Sequence, residues 1–337
     1  MKHDTVKLSV MKSIIPVLIL CLLVCNSCKK DHSNNTTPDS KSYTVTFKLS
    51  GFSQTDTVFE AGKRVINGVK SVNDVITPSI ADVLYCNVYD ANGKFVSSTK
   101  QLSTYLTFGT ISFGALPGNY TVVFAAGKTG LIIDKKAAAN VNSLNDDFLR
   151  YSTIPPGGNE DNTIKDTFYR RVSITVDKDY NQNIVLDRIV AQVLVTIEDE
   201  LPPNVISTSL VVNPVINAYP VNGDKPFTNT ATKQNQVVVP IPQSQLGTSN
   251  YIAKTLIFTD GSPFTLTIFA YPVKKINDST IGLNNTYFAK KDVTGVTAAA
   301  NKTTVVTGKL FENYHSDGGF HISINPDWNP TPVTVPF

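Results

Sequence analysis

Residues 183–197 read NIVLDRIVAQVLVTI, and this stretch decides the class of fold. Every second residue from Val185 to Ile197 is apolar, apart from Asp187. A period of two is the pattern of a β-strand with one buried face, and β-branched residues favour that conformation. The stretch therefore predicts one continuous strand over residues 183–197, long enough to serve two domains, and we place a domain boundary near residue 190.

The first residues after a polar segment repeat this pattern. Residues 43–50, YTVTFKLS, place large apolar side chains at positions 43, 45, 47 and 49 and polar side chains between them. The alternation predicts a half-buried strand that turns its four apolar side chains inward. Gly51 then ends the strand.

Short strands with turn residues between them recur to the end of the chain. Asp90–Gly93 and Leu116–Asn119 have the composition of tight turns. The further candidate strands are residues 83–89, 94–96, 110–113, 120–126, 172–176, 210–212, 236–241, 265–271, 303–310 and 320–324. Helical periodicity is weak and confined to Asp134–Leu149, where it allows one short helix. The whole pattern predicts an all-β fold built from β-sandwiches.

The N-terminal segment has the features of a secretory leader. Eleven apolar residues, 14–24, follow Lys12 and precede Cys25-Asn26-Ser27-Cys28. This arrangement predicts a signal peptide over residues 1–27, because a membrane-spanning helix takes about 20 apolar residues. Cys28 resembles the lipid-attachment cysteine of bacterial lipoproteins, which carries acyl chains such as palmitate. Ordinary cleavage beside an incidental cysteine is the alternative.

The segment after Cys28 is polar and without apolar periodicity. Residues 28–42 therefore predict a flexible tether between a lipid and the folded part of the chain. The residues after the cysteine could extend about 45 Å at most. We expect the protein to be lipid-anchored in the outer membrane and to stand clear of the lipid headgroups.

Composition excludes several classes of protein. The chain has 30 basic and 27 acidic residues, and the leader removes three lysines and one aspartate, which leaves a formal charge of +1. A near-neutral surface gives no reason to expect a nucleic-acid partner. Beyond Cys28, Cys86 is the one remaining cysteine. We therefore predict no disulfide once Cys28 carries lipid, and a fold stabilised by packing.

No constellation of residues predicts catalysis. His315 and His321 are the only histidines after the tether, and their spacing is not that of a metal-binding pair. Neither a nucleophile elbow nor a phosphate-binding glycine loop is present. We predict no enzymatic activity, no cofactor and no metal. Five acidic residues flank the turn at 155–159, and we interpret them as a solvated loop, with calcium binding as the alternative: Asp146, Asp147, Glu160, Asp161 and Asp166.

Five segments, in order along the chain, resemble the fimbrillin superfamily of Bacteroidetes, and more closely its lipid-anchored fimbrial subunits and anchor proteins. They are Thr44–Phe52, Asp166–Tyr169, Leu186–Val193, Asn301–Leu310 and Ile324–Trp328. The most specific is Leu186–Val193, which is similar to the family's L-x-R-x-V-A-x-V strand. The resemblance implies two transthyretin-like β-sandwich domains in tandem, which we place at residues 43–190 and 191–337.

The resemblance also implies a structural function in building or anchoring a surface fimbria that supports cell adhesion. The implied partners are other fimbrial subunits, which join by β-strand addition; the adhesion target is not indicated. Shaft subunits of the family open a groove by proteolysis after a basic residue in the loop that follows the first strand. Lys63 and Arg64 stand in that position here. A solvated dibasic pair is the alternative, because anchor-type members are thought to keep their first strand.

The C-terminal tail is the candidate donor strand. Val333, Val335 and Phe337 alternate with Thr and Pro and would offer one apolar face to a groove. Pro330 and Pro332 disfavour a central strand of the same domain, because proline cannot donate a ladder hydrogen bond. A tail packed against its own domain is the alternative.

A surface glycan-binding lipoprotein beside an outer-membrane nutrient transporter is the alternative function. Exposed coplanar aromatic side chains on one sandwich face would favour it. Aromatic residues on candidate strands, Phe269 and Tyr271 among them, we interpret mostly as core and cross-strand packing.

Overall fold

The structure is a computed structural model that describes residues 41–50, 53–54, 57–60, 63–66, 70–71, 80–136, 139, 141–152, 163–228, 236–277, 280–283, 287–312 and 320–325. These residues belong to one compact unit that begins at Lys41. Among them there are strands and one short 3-10 helix, Gln243–Gln245, and no α-helix. The all-β fold class is thereby confirmed.

The strands are numbered in chain order. They are β1 (Tyr43–Ser50), β2 (Ser53–Gln54), β3 (Thr57–Glu60), β4 (Lys63–Ile66), β5 (Lys70–Ser71), β6 (Val83–Asp90), β7 (Phe95–Leu102), β8 (Thr110–Ala115), β9 (Gly118–Gly127), β10 (Leu131–Lys135), β11 (Asp147–Tyr151), β12 (Thr167–Val176), β13 (Tyr180–Val185), β14 (Asp187–Arg188), β15 (Val190–Ile197), β16 (Val205–Asn213), β17 (Tyr219–Pro220), β18 (Gln236–Pro240), β19 (Tyr251–Phe258), β20 (Phe264–Asn277), β21 (Thr280–Leu283), β22 (Ala289–Val296), β23 (Thr303–Gly308) and β24 (His321–Asn325).

Five larger sheets and two antiparallel strand pairs organise these strands. Sheet 1 has the order β13-β1-β8, sheet 2 the order β14-β12-β9-β6-β7, and sheet 3 the order β10-β11-β17. Sheet 4 has the order β19-β15-β23-β24, and sheet 5 the order β18-β16-β20-β21, with β22 also paired to β20. The strand pairs are the hairpin β3-β4 and the pair β2-β5, which encloses it in the chain.

Sheets 1 and 2 pack face to face around an N-terminal core. Sheet 1 contributes Val45, Phe47 and Leu49 of β1, and sheet 2 contributes the even-numbered side chains of β6 and β9, such as Leu84 and Phe124. Inward-facing side chains from two sheets that share one core define a β-sandwich. Sheets 4 and 5 surround a C-terminal core in the same way, with apolar side chains from β15, β19, β16 and β20.

Sheet 2 is buried on both faces. The odd-numbered side chains of β6 and β9, including Tyr85, Tyr89 and Val123, turn away from the N-terminal core and pack against Leu149 of sheet 3 and Phe258 of β19. This middle core draws on residues from both halves of the chain. Because the described residues form one compact unit, the domain boundary near residue 190 stays a prediction.

The prediction of one continuous strand over residues 183–197 is wrong. The segment is extended but divides into β13, β14 and β15, which belong to sheets 1, 2 and 4. Leu186 enters the N-terminal core, whereas Ile189 enters the middle core and Val193 the C-terminal core. The buried face changes from even to odd positions on the way, so Val185 is half exposed although the alternation places it inward.

The short helix allowed over residues 134–149 is also not found in the part of that range that the structure describes, 134–136, 139 and 141–149. β10 and β11 pair antiparallel there, with Leu131 opposite Tyr151. Apolar β-branched and aromatic residues on these strands, such as Ile133 and Phe148, favour a pleated surface. The predicted turn at Asp90–Gly93 is confirmed, because it joins β6 to β7 and Gly93 takes the positive φ of 75° that glycine tolerates.

Candidate functional site

The first strand and the groove that holds it form the candidate functional site. β1 lies between β13, to which it runs parallel, and β8, to which it runs antiparallel, so both of its backbone edges are paired. Val45, Phe47 and Leu49 are fully buried, and Lys48 between them is exposed. The predicted inward face is confirmed, with Tyr43 partly buried against the same core.

Phe47 connects the two sheets of the sandwich. Its ring centroid lies 4.9 Å from that of Phe124 on β9, in an edge-to-face arrangement. Within sheet 1 it lies 5.9 Å from Tyr180 and 6.2 Å from Phe113. Aromatic pairs at such distances add to the free energy gained by burial. Phe47 is therefore the side chain of β1 with the largest expected share in holding the strand.

Polar contacts fix β1 along its length. The Thr44 N–H donates to a carboxylate oxygen of Asp179 at 2.8 Å, and the hydroxyls of Thr46 and Ser112 are 2.9 Å apart. The Leu49 N–H donates to the carbonyl of Gly109 at 2.8 Å. Without β1, the facing edges of β8 and β13 would have no partner strand, and the core would open to water. β1 therefore fills a groove between β8 and β13.

The predicted processing residues lie in a strand and not in a loop. Lys63 and Arg64 begin β4, which pairs antiparallel with β3. Both strands contain β-branched or aromatic residues, such as Val58 and Phe59 in β3 and Val65 in β4, and these residue types favour the strand conformation. The pair stands between β1 and β6 in the chain. A cut there would separate β1 from the rest of the molecule, except for its noncovalent contacts.

Several predicted sites lie outside the described residues. These are Cys28 with the leader and the tether up to residue 40, and the tail with Val333, Val335 and Phe337. The last described strand before the tail is β24, which forms one edge of sheet 4 and pairs with β23.

The interpretation of the acidic residues as a solvated loop is wrong for Asp147. Asp147 is fully buried on β11 and accepts a hydrogen bond of 2.7 Å from the Tyr89 hydroxyl. The Asn87 side-chain amide donates to that hydroxyl at 3.2 Å. Burial raises the pKa of Asp147, and the hydrogen bonds from Tyr89 and Ser143 only partly oppose this. Glu160 and Asp161 lie outside the described residues, and within the described ranges no group of three or more ligand residues could hold a metal ion.

Arg188, in the strand that carries the family resemblance, has a structural role that its sequence position does not reveal. Its guanidinium donates to both carboxylate oxygens of Asp166, at 2.8 and 2.9 Å, and lies 4.9 Å from the Phe168 ring centroid. A third contact, 3.4 Å to the Asn301 side chain, reaches the segment before β23. Only 4% of the Arg188 side chain is exposed. The residue therefore ties the two halves of the chain together.

A segment around β17 makes a second connection between the halves. β17 completes sheet 3 by pairing with β11, and the Val221 N–H donates to the Asp147 carbonyl at 3.0 Å. The Tyr169 hydroxyl donates to the Val221 carbonyl at 2.7 Å, and Arg171 donates to the carbonyl of Asn222. Sequence reasoning missed this connection, because the partners are far apart in the chain and no local pattern marks them.

Comparison with known protein families shows which family this chain belongs to. A model of the family described as fimbrillin-A associated anchor proteins Mfa1 and Mfa2 matches residues 29–332. The chain belongs to this family. The match covers most of the chain, and the resemblance to fimbrial anchor proteins is confirmed. No curated protein matches the chain.

Several solved structures align with most of this chain. The fimbrial anchor protein Mfa2 from Porphyromonas gingivalis is 12% identical, with 85% of this chain and 98% of that chain covered and a TM-score of 0.46. The tip fimbrial protein Mfa3 from the same species, with a C-terminal truncation, is 13% identical, with 86% and 100% of the two chains covered and a TM-score of 0.37. A proposed adhesin from Bacteroides thetaiotaomicron is 9% identical, with 85% and 96% covered and a TM-score of 0.48. Within the described residues, no helix has the length and apolar character needed to cross a membrane.

Proposed function

We propose that this protein is a lipid-anchored fimbrial anchor or subunit at the cell surface, which supports adhesion and carries no enzymatic activity. Membership of the fimbrial anchor family supports the role. The lipoprotein-type leader supports the location, because Cys28 follows a short apolar stretch that is too short to span a membrane.

The observation that carries the proposal is the position of β1. The strand follows the tether directly and fills the centre of sheet 1, so the N-terminal groove is occupied by the protein's own chain. A subunit in this state cannot accept a donor strand at that groove. Such a subunit therefore suits the end of a fimbria that meets the membrane, because no further subunit has to insert a strand there.

The link to the membrane depends on the same segment. Cys28, the tether and β1 precede Lys63 and Arg64, so a cut at the dibasic pair would leave the body attached to the lipid only through the contacts of β1. We propose that an anchor keeps this link intact. Incubation of the native protein with trypsin tests the pair: we expect any nicked product to elute as one particle in gel filtration, and release of β1 on nicking alone would contradict the proposal.

Lipid attachment at Cys28 has a direct test. Two or three acyl chains bind a membrane stably, because each buried CH₂ contributes about 0.8 kcal/mol, whereas one chain gives marginal binding. We expect Cys28→Ala to move the protein to the soluble fraction. Cys21→Ala, in the apolar part of the leader, is the matched control and should leave it in the membrane fraction. Retention of Cys28→Ala in the membrane would contradict lipidation at this residue.

We propose that assembly with other fimbrial subunits uses β-strand addition, with the tail as the donor. Val333, Val335 and Phe337 would fill the pockets of a partner's groove, and the backbone would satisfy its unpaired edges. Deletion of residues 329–337 should abolish co-purification with fimbrial subunits and leave the melting temperature nearly unchanged. A large fall in melting temperature would instead show that the tail packs against its own domain.

A further inference from the structure

The outer face of sheet 5 carries a group of aromatic side chains. Along β20, Leu266, Ile268 and Ala270 point into the C-terminal core, so the residues between them point away from it. Phe269 and Tyr271 are both on this outer face and partly exposed. Their ring centroids are 6.0 Å apart and their planes differ by 27°, so the two rings are neighbours of similar orientation on this face.

A third ring lies beside Phe269, with its plane inclined by 56° to the Phe269 ring. The Tyr287 ring centroid lies 5.5 Å from that of Phe269, and 48% of Tyr287 is exposed. Phe269, Tyr271 and Tyr287 together are called the aromatic platform. They are spaced at about the width of a sugar ring from one to the next.

Charged groups line one side of the aromatic platform. Lys290, opposite Phe269 on β22, places its ammonium 5.9 Å from the Phe269 ring centroid and 2.9 Å from a carboxylate oxygen of Asp292. The Thr267 hydroxyl donates to Asp292 at 2.6 Å. The hydrogen bond from Thr267 and the neighbouring ammonium lower the pKa of Asp292. A donor and an ionised acceptor, both well exposed, therefore stand at the rings, with the ammonium over the Phe269 ring.

Beneath the rings there are polar groups whose hydrogen-bonding capacity is not used. Ser207 and Ser209 lie directly opposite Tyr271 and Phe269 on β16, so their side chains share the outer face with the rings. Both serines are buried, at 3% and 0% exposure, and their hydroxyls have no hydrogen-bond partner among the described residues. A buried hydroxyl without a partner is costly and rare. Because both hydroxyls are buried, the polar groups available to a ligand on this face are those at its exposed rim.

We propose that the aromatic platform binds a sugar ring of a neutral glycan. The C–H groups on one face of a pyranose pack against flat aromatic surfaces, while the hydroxyls at its edge need donors and acceptors such as Lys290 and Asp292. Sites of this kind combine an apolar surface with a few placed polar groups. The paired charges of the rim and the near-neutral chain offer nothing that would attract an anionic polymer.

A protein partner fits this surface less well. A stable protein–protein interface takes about 800 Å² on each side, whereas the aromatic platform is limited to three rings with an ion pair beside them. Glycan binding at this surface is independent of strand addition, because it involves sheet 5 and neither β1 nor the tail. A failure of one proposal therefore leaves the other standing.

The test uses the full mature chain on an array of neutral oligosaccharides from mannan, xylan, β-glucan and N-acetyllactosamine, followed by calorimetric titration of the best binder. We expect Tyr287→Ala and Phe269→Ala each to weaken binding at least tenfold. Tyr105→Ala is the matched control, since Tyr105 is 51% exposed and lies on the loop before β8, and it should bind as the unmodified chain does.

Two further measurements complete the test. Tyr287→Ala should leave the melting temperature and the co-purification with fimbrial subunits unchanged, which separates this proposal from the assembly role. Absence of binding to every neutral oligosaccharide at millimolar concentration would overturn the proposal. So would equal losses in Tyr287→Ala and Tyr105→Ala, or binding only to anionic glycans that salt abolishes.

Discussion

Replacing Phe47 by alanine should weaken the hold of the groove on β1 more than any outward-facing change in the strand. Phe47 is fully buried and contacts rings on β8, β9 and β13. Removing a buried phenylalanine side chain costs about 3–5 kcal/mol. Because the three ring contacts lie on both sides of the sandwich, collapse of the cavity is hindered, and we expect about 4 kcal/mol, near the middle of that range.

The assay separates the strand from the rest of the molecule. A specific protease site placed between Ser71 and Ile80 allows the chain to be cut after folding, and dissociation of the β1 fragment can then be followed by labelling it. A loss of about 4 kcal/mol corresponds to roughly a thousandfold weaker retention of the fragment. Lys48→Ala is the matched control, because Lys48 is exposed on the same strand, and should change retention less than about threefold. Equal effects of the two substitutions would refute the assignment of β1 to a filled groove.

Further predictions concern the polar connections of the fold. Arg188→Ala should lower the free energy of unfolding, measured by urea denaturation, by about 3 kcal/mol, because it leaves the partly buried Asp166 without its bidentate partner. Arg170→Ala removes an exposed pair with Asp187 and should lower it by less than about 1 kcal/mol. Similar losses in the two variants would contradict the difference in burial. Asp147 has a raised pKa in the folded state, so its contribution to stability is complete below the ordinary carboxyl pKa of about 3.9 and is lost as the pH rises through the raised value. The melting temperature of Asp147→Asn relative to the unmodified protein should therefore increase from pH 4 to pH 7, and a constant difference across this range would contradict the raised pKa.

The first strand could be predicted from the sequence because a single physical rule governs it. Residues 43–50 have one face in a core and one in water, so their alternation maps directly onto burial. Residues 183–197 alternate as regularly, but the chain passes three cores in turn, and the buried face changes at Asp187–Ile189. No periodicity analysis shows which core a residue meets, so the division into three strands was not predictable.

The burial of Asp147 and the outward orientation of Phe269 and Tyr271 could not be predicted from the sequence, for a related reason. Asp147 stands beside Asp146 near a turn, which is typical of a solvated loop, and only its distant partner Tyr89 gives it a place in the middle core. Phe269 and Tyr271 occupy strand positions that favour packing, and only the pairing of β20 shows that they face outward. Contacts between residues far apart in the chain decide both cases.

The intact mass of the protein extracted from cell membranes tests the central claim most directly. We predict one covalent chain that begins at an acylated Cys28 and includes β1, because an anchor must keep both the lipid and the strand that closes its groove. A mature chain that begins after Lys63 or Arg64, without lipid and without β1, would contradict the claim and would show an acceptor subunit in place of an anchor.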